Sequence, residues 1–467
     1  MLFCTVQALG EMAVLFPVAG SFSAYSTRFL DPAWGFAMGW NYAMQWLVVL
    51  PLEIVAAAIT VNYWHSSVSP AAWVAIFLVI IISINLFGVR GYGEAEFVFS
   101  IIKVIAVIGF IILGIILDIG GGPEGSYIGG KYWLNPGAIN NGFKGLCSVF
   151  VTAAFAFTGT ELVGLAAAET ANPRKSLPTA VKQVFWRIAL FYIVSLTLVG
   201  LLVPYNDGRL IGSSNVDAKA SPFVIAIENA GIKGLDSVMN VVIMIAVLSV
   251  GNSSVYGSSR TLAALAEQGQ APKIFAYIDR QGRPLVAILF ASALGFLAFL
   301  AASSKEEEAF SWMYALSGLS SIFTWGSICL AHIRFRRAWK KQGHTLDQLA
   351  FRSQAGVIGS WIGFLFNILV LIAQFWVGIA PVPTSDGTRL TGAGPITSNF
   401  FQLYLAAPVV LAFYIPYKIY YKTPLMRSKN IDLQTGQREL DLAELIAEER
   451  LEQAQWPKWK KAYKFLC

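Results

Sequence analysis

The sequence predicts an all-α, polytopic membrane protein, and three observations carry that prediction. Hydrophobic residues make up 56% of the 467 and charged residues 13%, about half the charged share of a soluble domain. Apolar runs long enough to cross a hydrocarbon core of roughly 30 Å recur along nearly the whole chain. No strand-period alternation with turns at barrel spacing competes, so helices must satisfy the backbone within the bilayer. The net charge of +7 would suit a nucleic-acid surface, but the basic residues fall mainly between apolar runs and near the end, as in cytoplasmic loops. A lipid bilayer, not nucleic acid, is the expected partner. Cys4, Cys147, Cys329 and Cys467 show no paired or metal-ligand spacing, so no disulfide, metal or other cofactor is expected.

Taken in order, the chain opens in an apolar run, 1–16, shorter than the roughly 20 residues of a full span and without the features of a signal peptide. The expectation is a chain whose front end is missing. Asp31-Pro32 then offers an N-cap with proline at the first helical position. Spans follow at 33–63, 71–87, 97–117, 146–168, 188–203, 238–266, 285–302, 310–332, 357–380 and 400–420, about ten by the usual length criterion. With the opening run directed inwards, inner segments collect Arg174, Lys175, Lys182, Arg260, Lys273, Arg334, Arg336, Arg337 and Lys340. That places the end of the chain in the cytoplasm. The division is therefore a membrane domain, 1–421, and a cytoplasmic tail, 422–467, with a short amphipathic helix at 440–451 and a basic-aromatic ending.

Polar groups inside the spans carry the chemistry. The run from Leu146 reads LCSVFVTAAFAFTGTELVGLAAA, with Thr158, Gly159, Thr160 and Glu161 at its middle. An ionisable group at that depth costs roughly 2.5 kcal/mol or more and is usually held there by function. Gly159 between threonines weakens the helical ladder, and unwound backbone is tolerated where it lines a cavity. Broken helices of this kind bind small zwitterions through exposed amides and carbonyls. Ser249, Asn252, Ser253 and Tyr256 share one face of the span 238–266. Ser317, Ser320, Ser321 and Thr324 share one face of the span 310–332. Each stripe reads either as helix-packing glue or as cavity lining. Glu53, two residues after Pro51 and on the span bearing Asn41 and Gln45, is either a neutral hydrogen-bonded brace or a carboxylate that carries a proton. Lys103 either snorkels to the interface or stands as a cation in place of a metal ion.

Residues 155–178, FAFTGTELVGLAAAETANPRKSLP, resemble the signature of fungal amino-acid permeases, in the amino acid, polyamine and organocation transporter superfamily. GEMAVLFPVAGSF at 10–22, LPLEIVAAA at 50–58, GEAEFVFSIIKVIAVIGF at 93–110, SVGNSSVYGSSRTLAALAEQGQAPK at 249–273 and SGLSSIFTWGSICLAHIRFRRA at 317–338 agree with it. The resemblance implies a LeuT-like inverted-repeat fold, with the run from Leu146 as its sixth helix. It implies that the backbone of Phe155, Ala156, Phe157, Thr158, Gly159 and Thr160 receives the substrate amine, with Phe155 or Phe157 closing over it. Ser249, Asn252 and Ser253 would lie on the eighth helix, and Ser317, Ser320 and Thr324 on the tenth. Fungal members are proton-driven, Lys103 falls where some sodium-independent relatives carry a lysine, and Cys467 resembles a palmitoylated terminal cysteine. Relative to the family pattern, this sequence lacks the first helix and part of the second.

The expected function is a proton-coupled, broadly specific amino-acid importer of the plasma membrane, with regulators acting at the tail. The alternatives are an amino-acid sensor that signals without net transport, and a truncated fragment that does not transport. An enzyme is disfavoured, since His65, His332 and His344 form no cluster with a nucleophile or metal ligands. Glu161 is expected to hold the break in place rather than to touch substrate.

Overall fold

The computed structural model describes residues 1–123, 125–166, 173–210, 221–302, 306–383, 389–437 and 457. Every regular element among them is helical. In chain order these are α1 (Leu2–Leu15), α2 (Ser21–Phe29), α3 (Pro32–Val61), α4 (Pro70–Leu86), α5 (Gly88–Asp118), α6 (Gly142–Ser148), α7 (Phe150–Ala156), α8 (Leu162–Ala166) and α9 (Pro173–Arg187). They continue as α10 (Ser195–Leu202), α11 (Pro222–Asn229), α12 (Leu235–Glu267), α13 (Leu285–Leu294), α14 (Glu306–Lys341), α15 (Gly356–Ile379), α16 (Ala393–Tyr404) and α17 (Ala406–Tyr421).

Six continuous helices are long and apolar enough to cross a bilayer: Pro32–Trp64, Gly88–Asp118, Ser176–Leu202, Leu235–Glu267, Ser311–Lys341 and Gly356–Ile379. Shorter apolar helices, Leu2–Leu15, Pro70–Leu86, Gly142–Ala156 and Leu285–Leu300, occupy four more of the expected places. The run expected at 400–420 is instead the pair α16 and α17, bent by 66°. Pro408 explains the bend, because it has no N–H to offer the Tyr404 carbonyl one turn back and its ring crowds that carbonyl.

Helix α3 is the spine. The Asp31 carboxylate caps it by accepting from Ala33 N at 3.0 Å, with Pro32 fixing the first turn as the sequence predicts. One core packs α1, α2 and α14 around Trp46, Phe335 and Trp325. The other packs α3 against α4, α12 and α13. A buried ionic cluster ties α1 to α14: Glu11 Oε1 accepts from His332 Nε2 at 2.9 Å and Arg336 Nε at 2.5 Å. Its Oε2 accepts from Arg336 at 2.7 Å and from Ser353 N at 2.7 Å.

Residues 422–437 pack back on the bundle. Thr423 Oγ1 donates to Asp31 at 2.7 Å, Lys418 pairs with Asp31, and Met426 N donates to the Leu30 carbonyl at 3.0 Å. Ile431 and Leu433 are buried, and Gln342 donates to the Ile431 carbonyl at 2.8 Å. The expected helix at 440–451 and Cys467 lie outside the described residues.

Candidate functional site

The helix expected from Leu146 breaks where its sequence weakens it. α7 ends at Ala156 and α8 starts at Leu162. Between them the chain makes tight turns, with Thr158 N on the Phe155 carbonyl at 3.0 Å and Leu162 N on the Gly159 carbonyl at 3.1 Å. Gly159 sits at φ +97°, a conformation that only glycine adopts without strain. A Cβ there would stand 3.3 Å from the Trp46 ring, and one at Gly257 of α12 would meet the same ring at 3.3 Å. Trp46 is thus wedged between two glycines.

Glu161 is 1% exposed and holds the break from within. Its Oε1 accepts from Tyr42 Oη at 3.1 Å and from Gly159 N at 3.2 Å, and its Oε2 accepts from Trp325 Nε1 at 3.1 Å. The carboxylate supplies an acceptor to an amide that the helical ladder has left free, and joins α3, α14 and its own turn at one point. Tyr42, Trp46 and Trp325 were not singled out by the sequence.

The α14 stripe faces the break. Ser321 Oγ lies 2.8 Å from Thr158 Oγ1 and accepts from Gln45 Nε2 at 2.9 Å. Asn41 Nδ2 donates to the Ser320 carbonyl at 3.1 Å and reaches Thr324 Oγ1 at 3.4 Å, so Ser320 and Thr324 seal α3 against α14. Ser317 Oγ and Trp46 Nε1 are buried without a hydrogen-bond partner among the described residues. Phe155 packs at a tilt against Tyr314, ring centroids 4.8 Å apart, and Phe157 against Tyr192 at 4.2 Å. The Ala156 carbonyl accepts from Tyr192 Oη at 2.8 Å, and the Phe157 carbonyl accepts from the Thr160 hydroxyl at 2.7 Å.

Asn252 and Ser253 point elsewhere. Asn252 donates to Glu96 Oε1 at 3.0 Å and accepts from Asn85 at 2.8 Å, while Ser253 Oγ lies 3.1 Å from Tyr92 Oη. Lys103 Nζ donates to Ser249 Oγ at 2.7 Å, and Ser249 in turn donates to Glu96 at 2.6 Å. Lys103 is therefore engaged across α5 and α12. Glu96 was legible as a partner, since it lies seven residues before Lys103 on the same helical face. Glu53 is 8% exposed, lies against Gly251, and has no hydrogen bond or ion pair among the described residues.

A multi-span helical bundle with a broken helix against it, the break braced by a buried carboxylate, is the architecture of a membrane transporter. The comparisons give the particular family. The description "Amino acid permease" matches residues 1–430, and the chain belongs to that family. It is 62% identical over 473 residues to a general amino-acid permease of Candida albicans, spanning 100% of this chain and 79% of that protein. It is 57% identical over 478 residues to a general amino-acid permease of Saccharomyces cerevisiae, spanning 100% and 78%. With the histidine permease of Saccharomyces cerevisiae the identity is 49% over 473 residues, spanning 100% and 77%.

Proposed function

We propose that this amino acid permease is a proton-coupled, broadly specific importer working by alternating access at the plasma membrane. The observation that carries the reading is the break at 157–161, where half-buried backbone leaves helical register against the bundle and is braced by the buried Glu161. The backbone of Phe155, Ala156, Phe157, Thr158, Gly159 and Thr160 then takes the ammonium group, with the hydroxyls of Tyr192 and Thr160 released from the Ala156 and Phe157 carbonyls as substrate arrives. Ser317, buried on α14, belongs to the wall that faces the break. Ser320 and Thr324 support that wall, and Asn252 and Ser253 act through Glu96 and Tyr92 rather than on substrate. The wall carries hydroxyls and no unpaired charge, which suits side chains of many kinds.

Glu53 is the proposed proton carrier, because a carboxyl in a packed helix with no partner is most stable neutral and is free to exchange its proton. Lys103, fixed by Ser249 beside Glu96, is the proposed counter-charge. The names of the relatives, two general amino-acid permeases and a histidine permease, support the substrate class. The protein reconstituted in vesicles should accumulate labelled amino acid when an inward proton gradient is imposed, with several unlabelled amino acids competing. Accumulation that survives collapse of the gradient would overturn the coupling, and binding without accumulation would identify a sensor.

A further inference from the structure

His332 takes no part in the transport proposed above, yet it sits in the joint between α1 and α14. Three side chains of α1 make that joint towards α14 and the turn before α15. Thr5 Oγ1 lies 3.4 Å from Cys329 Sγ, Gln7 Oε1 accepts from Gln354 N at 3.0 Å, and Glu11 holds His332, Arg336 and Ser353 N. On its other sides α1 lies directly on the second half of the broken helix and on α9. A Cβ at Gly164 of α8 would stand 2.8 Å from Leu9, and one at Gly10 would stand 2.6 Å from Val181 of α9.

The charges at the joint leave His332 a choice of form. Glu11, His332 and Arg336 are 1%, 0% and 8% exposed, and Glu11 is the only carboxylate paired with either base among the described residues. The guanidinium is always protonated, so it cancels the carboxylate and a neutral imidazole leaves the site balanced. The remaining neighbours bring no charge: the Ser360 hydroxyl from α15, the Ser353 amide from the turn before it, and the Cys329 thiol and Phe335 ring from α14. Hydrogen bonding serves either form of the ring. A neutral Nδ1 accepts from Ser360 Oγ at 2.7 Å; a protonated one donates to the same oxygen, whose hydrogen then turns to the Gly356 carbonyl 3.4 Å away. A proton arriving at Nδ1 therefore costs no hydrogen bond, and what it adds is one positive charge in excess, shut off from solvent.

We propose that His332 is a proton-binding site built into the α1–α14 joint, and that its protonation loosens the joint. Histidine is the side chain whose charge changes near neutral pH. The excess charge is better accommodated when α1 withdraws and solvent reaches the ring. Both sides of the joint reach the broken helix: α1 rests on α8, and Trp325, seven residues before His332 and on the same face of α14, donates to Glu161. The inference stands apart from the coupling assigned to Glu53.

Cys329, 0% exposed and in contact with Thr5, is a native probe of the joint. The purified chain in detergent, without substrate or proton gradient, is treated with a small maleimide, and the labelled cysteines are identified by mass spectrometry. The ratio of Cys329 labelling in the wild type to that in His332→Gln cancels the thiol's own response to pH. It should rise about three- to tenfold from about pH 8 to about pH 6, as one linked proton allows, while the same ratio for Cys147 on α6 stays flat. A Cys329 ratio that stays flat or falls would overturn the proposal, and so would an equal rise at Cys147, which would mean general loosening. Should His332→Gln not fold, deuterium exchange at the imidazole carbon between the ring nitrogens of His332 decides the matter in the wild type. Its rate should titrate between about pH 5 and 8, and a rate with no titration there would show that the ring takes up no proton. No gradient enters either measurement, so their failure would leave the role of Glu53 untouched.

Discussion

Glu161 and Glu53 are both carboxylic acids sealed inside the same bundle, yet their surroundings are opposite. Glu161 meets three donors from α3, α14 and its own turn, whereas Glu53 meets none among the described residues. Such a difference separates two uses of one side chain. A carboxylate with its lone pairs filled is a structural joint, and moving a proton on or off it breaks the joint. A carboxyl without partners holds nothing together and can change charge without dismantling the fold. Glu11 stands with Glu161 on the structural side, held by an arginine and a histidine.

The contrast can be broken from the Glu161 side most severely. Glu161→Ala leaves the Tyr42 hydroxyl, the Trp325 indole N–H and the Gly159 amide without acceptors, at about 1–3 kcal/mol each. A thermal-unfolding assay in detergent should register a loss of about 3–9 kcal/mol, together with loss of uptake. Glu161→Gln keeps the shape and part of the acceptor set, so it should fold and still transport poorly. Wild-type uptake by that variant would remove Glu161 from the site.

Arg336→Met tests the second structural carboxylate. It strands a buried negative charge on Glu11 and should cost about 3–5 kcal/mol, most of it recovered when Glu11→Leu is added. A double variant no more stable than the single would mean that the cluster is not a closed pair. Glu53→Gln should change stability by less than about 1 kcal/mol, because no partner is lost. Its signature is functional: exchange of substrate across the membrane persists while accumulation driven by the proton gradient disappears.

The smallest effect is expected outside the membrane, at Asp432. The Thr435 hydroxyl and the amides of Thr435 and Gln434 hold its pKa down to about 2. A depressed folded-state pKa adds stability above the unfolded value near 3.9 that is lost as pH falls towards 2. Asp432→Asn should therefore leave unfolding unchanged in its pH dependence between pH 5 and 7 and flatten it only below about pH 4.

Much of this arrangement is legible in the sequence because its causes are local. The Asp31-Pro32 cap, the apolar runs, and the weakness at Thr158-Gly159-Thr160 need only nearest neighbours along the chain. Pro408 was a readable signal for the bend between α16 and α17, since the cost of a missing N–H one turn on is also local. What sequence spacing does not supply is the identity of the neighbour. The periodicity of Ser249, Asn252 and Ser253 fixes that they share a face, but only packing shows that the face meets Glu96 and Tyr92 on α5. The role of Glu11 in the opening apolar run cannot be read from spacing, because its partners lie 321 and 325 residues away. The wedge of Trp46 between Gly159 and Gly257 depends likewise on two contacts distant in sequence.

The chain that leaves α17 folds back beneath the bundle, and this alters what its far end can feel and transmit. Residues 422–437 are stitched to Leu30, Asp31 and Gln342, so they move with the corner between α2 and α3 and with the end of α14, not as a free tether. A fluorophore placed at Gln437 should report displacement of that corner. A load applied beyond it would be borne first by Ile431 and Leu433, like a cord drawn through an anchored eyelet.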